Sequence, residues 1–143
     1  MKKIVIFLVI VLIIVATISY IYINYKFNYN IAQRENAQFE SYYQQEIFGP
    51  DLATLINKAE DNNVKNEIKK DNKGIYIENN TNSIRIDIKF LDDDNIHTME
   101  EISRSGTNTF MQYYNQIKFK CTKIEYHNST GKVKYMLFEQ MTT

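Results

Sequence analysis

The residues best equipped for chemistry are a lone thiol and two imidazoles. Cys121 with His97 or His127 would make a nucleophile and its base, and Lys118, Lys120 and Lys123 would favour a thiolate. The local pattern argues otherwise. Cys121 shares the alternation of Phe119, which turns its thiol toward a core as a small hydrophobe, and no oxyanion-loop signature surrounds it. Asp92-Asp93-Asp94 offers hard oxygen ligands, but a calcium loop needs alternating ligands, a turn Gly and a later Glu. That order is missing, so the three acids read as a solvated loop between strand and helix. Asn79-Asn80-Thr81 and Asn128-Ser129-Thr130 fit the glycosylation pattern, which an Asn-rich chain produces by chance, and both fall in expected turns. The sequence thus assigns no catalytic, cofactor-binding or metal-ligating residue, and the expectation is a protein that is not an enzyme.

The chain has 143 residues, with 17 basic and 17 acidic side chains that cancel. A nucleic-acid partner wants a basic face, and this balance gives no case for one. A single Cys cannot form an internal disulfide. The bias toward Asn, Lys, Ile and Tyr, with four Gly, one Pro and no Trp, resembles proteins of AT-rich bacterial genomes.

The dominant element lies at the start. Ile4 to Ile23 is an unbroken apolar run without charge, Pro or Gly. As a helix its roughly twenty residues span about 30 Å, the thickness of a bilayer's hydrocarbon core. Lys2 and Lys3 precede it, and Tyr20, Tyr22, Tyr25, Phe27 and Tyr29 gather at its far end like an interfacial aromatic belt. The flanks predict a single-pass cell-membrane protein, N-terminus cytoplasmic and C-terminal domain extracytoplasmic. A cleaved signal peptide usually has a shorter core and a small-x-small site, which Ala16-Thr17-Ile18 and Ile18-Ser19-Tyr20 match poorly. A lipoprotein signal needs a Cys just after the run, and the only Cys is Cys121.

Three segments follow: an anchor over 1–24, a helical stalk over 25–48 and an α+β extracytoplasmic domain over 49–143. Helix formers fill the stretch after Ile31, and Phe39, Tyr42, Tyr43 and Ile47 recur at near-helical spacing up to Gly49-Pro50. Pro50 and Asp51 suit a first helical turn, and Leu52, Leu55, Ile56 and Ala59 form one stripe, predicting a short helix to about Asn62. Ile75–Glu78 reads as a short strand. Ile84, Ile86, Ile88 and Phe90 alternate with Arg85, Asp87 and Lys89, the mark of an antiparallel strand covered on one face. Thr98 and Glu101 form a capping box for a helix whose stripe runs from Met99 through Gly106 to Ile117, with Gly106 allowing a close approach. The tail predicts a hairpin, Phe119–Tyr126 and Val133–Phe138, with a bulge near Thr122-Lys123 where the apolar phase slips. The expected fold class is α+β: a long transmembrane-plus-stalk helix, then a small antiparallel sheet of about four strands with helices on one face.

A membrane helix running into an amphipathic stalk and a small sheet resembles type IV pilins and pseudopilins in architecture. It also resembles small single-pass proteins common in Gram-positive bacteria, with Ile47-Phe-Gly-Pro-Asp-Leu-Ala-Thr-Leu-Ile-Asn-Lys58 the most reminiscent stretch. The pilin leader places a Gly before, and a Glu within, the apolar run; Ile4 to Ile23 contains neither, and no functional residue carries over. The resemblance implies a structural or interaction subunit of a surface or secretion assembly. Its partners would be the lipid bilayer and other pilin-like or envelope proteins, met through Phe27, Ile31 and Phe39. The alternative is a membrane-tethered binding module for a soluble ligand or envelope protein.

Overall fold

The computed structural model describes residues 1–142 and is α+β, with one long helix leading into a head built on a five-stranded mixed sheet. Helix α1 (Lys2–Glu40) has 39 residues and so extends about 58 Å. No protein covers its apolar window, and it is long and apolar enough to cross a membrane. Within that run Thr17 donates its hydroxyl proton to the Ile13 carbonyl at 2.8 Å, so this hydroxyl already has a partner in an apolar medium.

The helix stops eight residues before the expected end of the stalk. Ser41 to Gln45 make a turn, in which Gln44 adopts a left-handed φ of 61° and donates its N–H to the Cys121 carbonyl. That reversal lets Glu46–Phe48 pair with the hairpin as β1. Helical spacing of Tyr42 and Ile47 is also compatible with a turn and a strand that bury the same side chains. Tyr42 is packed against the core and Ile47 is buried.

Helix α2 (Gly49–Lys65) follows at once, with Pro50 in its first turn and Leu52, Leu55, Ile56 and Ala59 fully buried. Gly49 has a reason the sequence did not suggest. A Cβ there would stand 2.2 Å from the Tyr114 carbonyl oxygen, so the α2 start and the end of the later helix pair touch backbone to backbone. The helix outruns the prediction by one turn because Asn63 continues the stripe. Its side chain is fully buried, accepts the Ile84 N–H at 2.8 Å and donates to the Ile84 carbonyl at 2.7 Å.

The remaining strands are β2 (Arg85–Lys89), β3 (Ile96–Thr98), β4 (Lys118–Tyr126) and β5 (Val133–Gln140), in sheet order β1-β4-β5-β2-β3. The sheet is mixed, five-stranded and not the four antiparallel strands expected, because β2 lies parallel to β5. Alternation reports which face of a strand is buried and says nothing of its neighbour's direction. Even there Asp87 is buried, beside Arg85 at 2.8 Å. Ile75–Glu78 is not a strand; only a bridge joins Lys70 and Tyr76. The predicted bulge is present between Cys121 and Lys123, and it restores Ile124 to the face of Cys121.

The capping box at Thr98 and Glu101 forms as expected and opens α3 (Met99–Ser105). The predicted single helix is two, because Gly106 takes a φ of 96° and α4 (Thr107–Tyr113) starts beyond it. The Gly there serves a backbone conformation and not a close approach; a Cβ would meet only Thr109 Oγ1, at 3.5 Å.

Two substitutions test this packing. Asn63→Ala leaves both Ile84 backbone groups buried without partners and should cost about 2–4 kcal/mol, read as a lower urea midpoint by near-ultraviolet circular dichroism. Gly49→Ala should cost about 1–3 kcal/mol by overpacking against Tyr114.

Candidate functional site

The chemistry-bearing residues are each engaged in structure. Cys121 is fully buried in the central row of the sheet, opposite Phe138, with its thiol 3.4 Å from the Lys123 carbonyl. Burial pushes the thiol up to about 11, so it stays protonated at neutral pH. His127 is buried and bonds the Ser83 carbonyl through Nε2 at 2.6 Å, while His97 lies between Asp93 at 2.8 Å and Glu101 at 3.5 Å. Both imidazoles thus brace loops. A catalytic pair would need one of them turned to an ionisable thiol.

Of the three acids, Asp93 is tied by the Asn95 N–H, the Asn95 amide and His97, and the Asn95 backbone bond first of all holds its carboxyl below the usual range. Among the described residues no group of three or more His, Cys, Asp or Glu side chains could hold a metal ion. The two Asn-x-Thr turns pack on each other. Ser129 donates to the Asn80 carbonyl and Thr130 to the Thr81 carbonyl, and the Asn79 side-chain oxygen accepts the N–H groups of Thr81, Asn82 and Ser83.

The arrangement with functional consequence is the joint between α1 and the head. Ala32, Asn36 and Phe39 are the buried residues of α1, one stripe at helical spacing. Asn36 is the fastener. It donates its amide to the Gly131 carbonyl and accepts the Val133 N–H, each at 2.8 Å, gripping the start of β5. Glu35 pairs with Lys132 at 2.7 Å beside it. Sequence reasoning missed both Asn36 and Asn63. The available signal was an Asn continuing an apolar stripe, four residues after Ala32 in one case and after Ala59 in the other.

The joint also revises the expected partner surface. Phe39 is 6 % exposed and belongs to the head's core, so it is unavailable to another molecule. Phe27 is 63 % exposed and Ile31 is half-buried. The space between α2 and the sheet is filled by Leu52, Leu55, Ile56, Ile86, Ile88, Phe119 and Phe138, all fully buried.

Comparison with protein-family models, curated proteins and solved structures finds no match.

The buried thiol gives a pH-dependent test. The unfolded chain loses its Cys121 proton near pH 9 and the folded one near 11, so the folded state holds more protons in that window. Stability present below pH 9 is therefore lost as pH rises toward 11, by roughly 2–3 kcal/mol. Tyr126 and Tyr135, each pushed up to about 12 mainly by burial, extend the loss above pH 10. The urea midpoint should fall from pH 8 to 11, and Cys121→Ala should flatten the part between 9 and 11. At pH 8 a disulfide reagent should label the thiol only after unfolding.

Proposed function

We propose that this chain is a membrane-tethered, extracytoplasmic, pilin-like subunit that works by holding and presenting its head. One observation carries the reading: a single helix offers an apolar surface of bilayer length at one end and is locked into the head's core at the other. Burying that surface in lipid removes it from water, at about 0.8 kcal/mol per CH₂. A continuous helix with a hydrogen-bonded joint then transmits orientation, which a flexible linker would lose. Lys2 and Lys3 favour a cytoplasmic N-terminus. Neighbouring copies or envelope proteins would pack along Phe27 and Ile31.

A second reading, a tethered binding module, draws on the opposite end of the head. Phe48, Leu91 and Ile96 are all exposed there, at the ends of three strands farthest from the β4–β5 turn. Such a rim would suit a soluble or envelope partner.

Alkaline carbonate should leave the intact chain in the membrane pellet; release to the supernatant sinks both readings. Phe27→Cys and Ile31→Cys should each give an oxidised dimer in native membranes, with the buried Cys121 silent. A strictly monomeric result would reject the assembly role and leave the binding module.

A further inference from the structure

A groove of about 650 Å³ lies between α1 and the β4–β5 turn. Tyr25, Asn28 and Tyr29 form one wall and Ser129, Thr130 and Lys132 the other. Its height above the apolar run follows from helix geometry. Tyr25 stands about 3 Å and Tyr29 about 9 Å beyond Ile23 along the axis. Each headgroup layer of a bilayer is about 5–7 Å thick. If Ile4 to Ile23 fill the hydrocarbon, the groove opens within the headgroups and the turn rests on the bilayer surface.

We infer that this groove seats the headgroup of a zwitterionic phospholipid, so that the head is docked on the membrane and not raised above it. The inference rests on the tether proposed above. The lining fits that occupant. Tyr25 and Tyr29 stack with centroids 6.4 Å apart and are both exposed, offering ring faces to an ammonium or choline group. Asn28 adds an amide donor for a phosphate oxygen. The Lys132 ammonium is paired with Glu35 at 2.7 Å, so the lining offers no uncompensated charge to draw an anionic lipid. The turn is braced from behind by the Ser129 and Thr130 bonds to Asn80 and Thr81, which keep the far wall in place.

The chain has no Trp, so single tryptophans report without background. The full chain would be placed in phosphatidylcholine vesicles carrying either acyl-brominated lipid or lipid with a nitroxide on its headgroup. Phe7→Trp should be quenched by bromine. Asn128→Trp should be quenched at least two-fold more by the headgroup nitroxide than by bromine, and Phe48→Trp by neither. Adding Tyr25→Ala and Tyr29→Ala should weaken the Asn128→Trp quenching at least two-fold. Quenched Phe7→Trp with unquenched Asn128→Trp overturns the docking and leaves the tether standing. Unquenched Phe7→Trp removes the tether itself. Quenching that ignores the tyrosine changes, requires phosphatidylglycerol, or gives way as protein density rises overturns the proposal in favour of simple proximity, an anionic lipid or a second copy respectively.

Discussion

One carboxamide holds the two halves of this molecule in register. Asn36 sits on a helix whose other end is bare apolar surface, and it closes two hydrogen bonds on the backbone at the start of β5. The Val133 N–H lies where water does not reach, so leaving it open would be costly. Ala32 below and Phe39 above give the contact its apolar flanks. Without this grip, α1 would meet the head through a narrow stripe and a surface ion pair, and surface pairs contribute little.

The same device recurs on α2, where Asn63 grips Ile84 at the entrance to β2. The two asparagines thus pin the starts of the two adjacent parallel strands. Around them lies a continuous amide network: Asn62 to the Asn82 carbonyl, Asn82 to Asn66, and Asn79 to Asn82. The Asn richness of the chain is therefore partly structural at this end. Neutral amides satisfy backbone groups in turns without the desolvation cost of charges.

Much of the fold was legible from local pattern. The apolar run, the α2 stripe, the Thr98–Glu101 capping box and the bulge after Cys121 each rest on residues adjacent in sequence, and all four appear. What pattern could not supply was long-range. The parallel partnership of β2 with β5 depends on where the chain goes after α4, and the end of α1 at Glu40 depends on β1 finding β4. Gly49 and Gly106 show the same limit in miniature. Both are breakers by type, yet one exists for Tyr114's carbonyl and the other for a positive φ. The joint went unread because Asn is counted as polar, and its place in a buried stripe is visible only once a partner strand is known.

The strand order carries a temporal consequence. β5 lies at the centre of the sheet, bonded to β4 on one side and to β2 on the other, yet it is the last strand synthesised. Until Val133–Gln140 has been made, no backbone ladder joins β2–β3 to β1–β4, and only side-chain packing, such as that of α2 and of Phe90 on Phe119, holds the two pairs together. Two-stranded pieces are marginal in water. The sheet therefore closes only when β5 arrives, and a chain cut short before Val133 lacks the strand that joins its two pairs.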